Sequence, residues 1–275
     1  MKYLITLAIM VQIILIGFPA SAEISSNARM LQKPEWDGAV VSGKWLSGEF
    51  RYQKYEIGDD EDADVIAFGP TFAASLPNLP ELELGTRLWL MNEDYDHFKS
   101  ETGLSDIDLW GKYQFFNNNG LMLSGGLMFS LPVGCEGVVH PRATGEFNLE
   151  LFGAARYNID EVFSVVGHLG IRKNSDMESE LEGKGSNADV EGEIDGETQF
   201  EIGGGIIYQL QYNLNILGEL NIATEAYDDA ENDIELTGGV EYMLQPNLSL
   251  KGGLGLGMDD GAPDFELIIG GTVTF

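Results

Sequence analysis

The chain has 275 residues and a formal net charge of −30, from 45 Asp and Glu against 15 Lys and Arg. That balance excludes nucleic-acid binding, because phosphates would be repelled. The one cysteine, Cys135, excludes an intrachain disulfide, and the length suits a single all-β domain.

The N-terminus reads as a secretory signal peptide, residues 1–22. Lys2 supplies the positive charge, Leu4 to Gly17 form an apolar core, Pro19 breaks it, and Ala20-Ser21-Ala22 offer small residues for cleavage. The apolar run is shorter than the roughly 20 residues that span a bilayer, so it is not a retained anchor. Residues 23–38 form a polar stretch without a clear period, read as a periplasmic N-terminal leader. Its first part, Glu23 to Pro34, suits a disordered leader, a short helix or a plug segment equally well.

Residues 39–275 carry the period-two alternation of strands. The expected strands are Val41 to Tyr55, Val65 to Ala74, Glu81 to Asn92, Leu104 to Phe116, Leu121 to Leu131 and Gly145 to Tyr157. They continue with Val162 to Arg172, Thr198 to Gln211, Leu214 to Tyr227, Ile234 to Leu244, Leu248 to Met258 and Phe265 to Phe275. Short connections rich in Asn, Pro and Gly fall at Pro77–Pro80, Asn117–Gly120, Asn158–Glu161, Tyr212–Asn213 and Gln245–Asn247. Longer, mostly acidic ones fall between them. The alternation predicts a transmembrane antiparallel up-and-down β-barrel of about twelve strands in a bacterial outer membrane, with tight periplasmic turns and long external loops. Aromatics near the short turns, such as Tyr113, Tyr157, Tyr208 and Phe275, suit the membrane interface. The expected partners are outer-membrane lipid and lipopolysaccharide, the barrel assembly machinery and small-molecule solutes.

One face of each strand is apolar and suits lipid. The other is polar, and a charge at the midplane facing lipid would cost roughly 2–4 kcal/mol for Arg or Lys. The lumen-lining candidates are therefore Glu49, Arg51, Glu83, Arg87, Asp106, Asp108, Lys112, Glu146, Glu150, Arg156, His168, Arg172, Glu201, Glu219, Glu225, Glu241, Lys251 and Glu266. Two readings fit them. One is a channel whose acidic excess favours cations. The other is a mutually neutralising network that fills a narrow barrel and supports a non-conducting structural or surface-interaction protein with acidic external loops.

The acidic runs Asp59-Asp60-Glu61-Asp62 and Asp176 to Asp195 lack EF-hand spacing and read as solvated loops, with weak cation bridging to lipopolysaccharide as a minor reading. No metal site and no cofactor is expected. Catalysis has little support: no G-x-S-x-G is present, His97 and His140 fall in expected outer loops and His168 in the lumen, and Ser105, which precedes the Asp106/Asp108 pair, has no histidine near it in sequence. Cys135 lies beside Glu136, which raises a thiol pKa rather than lowering it.

Thr102-Gly103-Leu104-Ser105-Asp106-Ile107-Asp108-Leu109, running on to Lys112-Tyr113, resembles the T-G-x-x-D-x-x-L…K-Y strand of the MetA-pathway phenol-degradation family of transporter-like outer-membrane proteins. Gly257-Met258-Asp259-Asp260-Gly261-Ala262-Pro263-Asp264-Phe265 resembles that family's last outer loop. Gly270, Val273 and Phe275 are similar to the signal that barrels present to their insertion machinery, although Ile268 stands where that signal is usually polar. The resemblance implies passive passage of small molecules, hydrophobic or aromatic ones among them. It implies no catalytic residues.

Overall fold

The computed structural model describes residues 28–41, 43–57, 61–134, 145–181, 190–228 and 230–275. The signal peptide, Cys135 and His140 lie outside them, as do residues 23–27, Asp59, Asp60 and much of the second acidic run. The described regular structure is all β, in an antiparallel barrel.

The wall begins with β1 (Lys44–Ile57), β2 (Glu61–Leu76) and β3 (Leu79–Arg87). β4 (Leu90–Tyr95) continues β3 past a break at Leu88 and Trp89. β5 (Glu101–Leu104) and β6 (Ile107–Asn118) likewise form one wall strand, broken at Ser105 and Asp106. Next come β7 (Leu121–Leu131), β8 (Asn148–Asn158) and β9 (Phe163–Lys173). A hairpin, β10 (Met177–Leu181) with β11 (Val190–Ile194), stands apart in the following connection. β12 (Thr198–Gln211), β13 (Leu214–Ala223), β14 (Asp233–Gln245), β15 (Leu248–Gly257) and β16 (Phe265–Thr274) complete the wall. With the two broken strands each counted once, twelve antiparallel strands close where β1 meets β16. At that seam Lys44 and Phe275 exchange two backbone hydrogen bonds of 2.9 Å.

Period-two patterning explains the wall. Along β8 the outward Leu149, Leu151 and Tyr157 are exposed, and the inward Asn148, Glu150, Phe152 and Arg156 are buried. The same apolar outward face recurs on the other strands, for example at Phe68, Leu127, Ile202, Leu236 and Leu254. Strands of this length, tilted in a barrel, cross the hydrocarbon layer, and closure pairs every wall strand on both sides, which lipid requires. In one turn, Asn119 and Gly120 both have positive φ (51° and 80°), as a type I′ hairpin needs. Four bulges, at Ser75/Leu76, Gln114/Phe116, Gln209/Gln211 and Met243/Gln245, all sit at the short-turn end. There they bend the strands into the rim.

Residues 28–41, which the sequence places largely in a leader, run inside the barrel and are almost entirely buried. Ala28, Met30 and Leu31 pack on Val166, Ile207, Leu217 and Ile268. Trp36 and Val41 pack on Trp45, Ala73, Trp110, Met128 and Phe152. Of the readings open for this stretch, the plug is the arrangement seen. Its side chains fit because the wall gives way: a Cβ at Gly170 would collide with the Trp36 ring, and one at Gly205 with the Met30 methyl.

The lumen and its plug as candidate functional site

The charges pointing into the barrel hold the plug. Arg51 on β1 pairs with Glu49 at 3.1 Å and with Glu266 on β16 at 3.2 Å, and Lys251 pairs with Glu49 at 2.5 Å. The Arg51 guanidinium also donates to the Leu31 carbonyl at 3.1 Å and to Gln32 Oε1 at 2.5 Å. Glu219 accepts the backbone N–H groups of Leu31 and of Gln32, the latter at 3.1 Å. The Gln32 amide donates to Glu235 at 2.8 Å and to Glu266. This cluster ties the first half of the plug to both sides of the seam.

A second cluster holds the other half. Arg156 pairs with Asp37 at 2.8 Å. Arg87 bridges Glu35 on the plug (3.1 Å) and Asp108 on the wall (2.9 Å). Lys112 pairs with Glu83 at 3.1 Å and donates to the carbonyls of Glu35 and Ala39, both at 3.1 Å. Lys33 pairs with Glu201 and lies 4.2 Å from the Trp36 ring centroid. Trp36 stacks flat on Phe152 and meets His168 edge-on at 4.9 Å.

Most of the sequence-derived candidates are therefore buried side chains of inward-facing positions: Glu49, Arg51, Glu83, Arg87, Asp108, Lys112, Glu150, Arg156, Glu201, Glu219, Glu241, Lys251 and Glu266. His168 and Arg172 are half-buried on the same face of β9. Asp106 is buried at the break before β6 and accepts the Gly134 N–H at 3.0 Å. Glu146 and Glu225 differ: both are exposed and lie beyond the strand ends, because β8 starts at Asn148 and β13 stops at Ala223. The plug's own groups, Gln32, Lys33, Glu35, Trp36 and Asp37, were absent from the sequence reading.

Above the plug, towards the long connections, lies a cavity of about 230 Å3 lined by Lys33, Glu35, Arg87, Asp108, Glu150, Arg172 and Tyr227 among others. At the short-turn end the free space shrinks to about 10 and 20 Å3, beside Arg29, Pro34 and Val41 and beside Glu241 and Ser249. Among the described residues the roomier part of the lumen thus lies on the long-connection side of the plug.

A hydrolytic site finds no support in the polar groups. The Ser105 hydroxyl donates to the Asp106 carbonyl at 2.7 Å and accepts the Trp89 N–H at 2.9 Å, so it is committed to backbone. Among the described residues no group of three His, Cys, Asp or Glu side chains could hold a metal ion.

No family profile and no curated protein matches the sequence. Solved structures do. The COG4313 outer membrane channel from Pseudomonas putida F1 superposes with a TM-score of 0.71 at 12% identity, covering 88% of this chain and 98% of that one. The β-domain of the Bordetella autotransporter BrkA gives 0.56 at 13% identity, covering 85% and 100%. The Pseudomonas putida toluene transporter TodX gives 0.51 at 7% identity, covering 92% and 96%. At these identities the likeness speaks for the fold, and together with the apolar outer wall it makes this chain an outer-membrane β-barrel.

Proposed function

We propose that the chain is a passive outer-membrane channel for small solutes, closed in this conformation by residues 28–41 and opened when that segment shifts. The observation that carries the reading is the asymmetric lumen: a polar cavity of about 230 Å3 above the plug and little free space below it. Buried carboxylates outnumber buried bases inside the barrel, so an open lumen favours cations. The likeness to the COG4313 channel supports passage of solutes. The resemblance to the MetA-pathway phenol-degradation family and the likeness to a toluene transporter support hydrophobic or aromatic solutes. The reading also includes an outer-membrane lipid and lipopolysaccharide environment and insertion by the barrel assembly machinery through the Gly270–Phe275 end.

The close packing of Trp36 and Leu31 favours a second reading, a non-conducting barrel with acidic external connections. Planar-bilayer recording separates the two. The channel reading expects the mature chain to show brief openings, and a variant lacking residues 28–41 to show long-lived, cation-selective steps. If the full mature chain, correctly inserted, never opens over a wide voltage range, the non-conducting reading stands.

A further inference from the structure

We infer that the cavity above the plug is a binding site for a small zwitterion, an α-amino acid with an apolar side chain, whose ammonium meets Glu150 and whose carboxylate meets Arg172. The inference names a solute for the proposed channel and rests on that reading for how the solute arrives, although binding itself needs no conduction.

Glu150 on β8 and Arg172 on β9 are cross-strand partners, and both line the cavity. Opposite charges placed directly across antiparallel strands ordinarily pair. These two do not: among the described residues neither forms an ion pair within 4.0 Å. Glu150 is 3% exposed, and its Oε1 has no hydrogen-bond partner. Arg172 Nε also has none, and among the described residues the guanidinium hydrogen-bonds the Ser130 hydroxyl, through Nη2 at 3.5 Å.

The neighbouring charges have closer partners of their own, although Lys33 also attracts Glu150 from further away. Arg87 is held by Glu35 and Asp108, and Lys33 by Glu201. One buried carboxylate and one guanidinium are left facing the same space. A buried ionised group without a partner is costly, so the pair favours a ligand that answers both charges at once. A cation alone would leave Arg172 unanswered. An anion alone would leave Glu150 unanswered and would meet Glu231 and Asp233, which also line the cavity. Cross-strand Cβ atoms lie roughly 4.5–5.5 Å apart, so a ligand with its two charges one carbon apart can bridge them, its carboxylate taking the planar guanidinium fork. Met128 and Tyr227 give its side chain an apolar wall.

Titration calorimetry on the detergent-solubilised mature protein tests this, with L-phenylalanine as probe and benzylammonium and benzoate as its two halves. Phenylalanine is expected to bind saturably, and each half at least tenfold more weakly. Glu150→Gln is expected to weaken phenylalanine at least tenfold and to leave benzoate as tight or tighter; Arg172→Gln, and more mildly Arg172→Lys, should weaken phenylalanine and leave benzylammonium as tight or tighter. Heat-modifiable gel mobility reports that each variant is a folded barrel, and any one folded variant suffices. No saturable binding of phenylalanine, or binding that ignores these substitutions, overturns the site. Conductance without phenylalanine binding removes the site and keeps the channel; phenylalanine binding to a barrel that never conducts removes the channel and keeps the site.

Discussion

The Trp36 indole, on the inserted segment, stacks on Phe152 of β8 with ring centroids 5.3 Å apart and planes 8° from parallel. It joins the plug to the wall within the cluster of Trp36, Val41, Trp45, Ala73, Trp110, Met128 and Phe152. Trp36→Ala removes the stack and leaves a hole beside Gly170. Large-to-small aromatic truncations in a core cost about 3–5 kcal/mol. Here the cost falls on docking of the plug rather than on the hydrogen-bonded wall. The expected outcome is a barrel that keeps its heat-modifiable gel mobility but opens far more often in a bilayer. An unchanged open probability would detach the gate from this contact.

The Arg156–Asp37 pair makes a different prediction. Both side chains are buried. Asp37 also pairs with the buried Arg29, at 3.6 Å, so removing Arg156 leaves Asp37 with the longer contact alone. Breaking a buried pair costs up to about 3–5 kcal/mol, and a second cation lowers that, whereas replacing all the partners by apolar groups is often close to neutral. Arg156→Met is therefore expected to expose residues 28–41 to added protease, and the triple variant Arg156→Met/Asp37→Leu/Arg29→Met, which removes all three charges of the cluster, to protect them again. Equal sensitivity in the single and triple variants would place the effect elsewhere.

Glycines on the two faces of the wall should respond oppositely to one methyl group. Gly170→Ala meets the Trp36 ring and is expected to destabilise by about 1–3 kcal/mol. At the outward Gly153 an added Cβ meets only the Ser124 carbonyl, at 4.0 Å. Gly153→Ala is expected to be neutral or to stabilise by about 0.4–1 kcal/mol through the unfolded state. Urea unfolding in lipid vesicles reads both.

Leu151 is 58% exposed on the outward face of β8. Leu151→Arg is expected to cost about 2–4 kcal/mol if it lies near the midplane and less towards a rim. The same measurement in vesicles checks it, and no loss would mean that this face does not meet hydrocarbon.

The wall was legible because each strand repeats one rule, apolar outward and polar inward, and because the turns carry Asn, Pro and Gly. Burial of Glu49, Lys112, Arg156 and Glu266 follows from that parity alone. The break at Trp89 was not legible, since the alternation of Leu84, Leu88 and Leu90 runs through it undisturbed; at Ser105 the parity does flip, with Leu104 and Leu109 both facing outward. The plug stood as only one of three equal readings, for the opposite reason. Residues 28–41 have no period, and their partners are distant in sequence: Leu31 meets Glu219, and Trp36 meets Phe152. A trace was present in the wall. Inward glycines such as Gly170 and Gly205 weaken a strand without serving a turn, and such positions mark the close approach of something else.

The seam where the chain's first wall strand meets its last has a consequence for assembly. Arg51 belongs to one edge and Glu266 to the other, and Gln32 touches both. The inserted segment therefore acts as an internal clasp across the joint. Sealing of the cylinder and seating of residues 28–41 draw on the same contacts and become one cooperative event, so a chain that has not seated its own N-terminal segment lacks part of what holds its edges together.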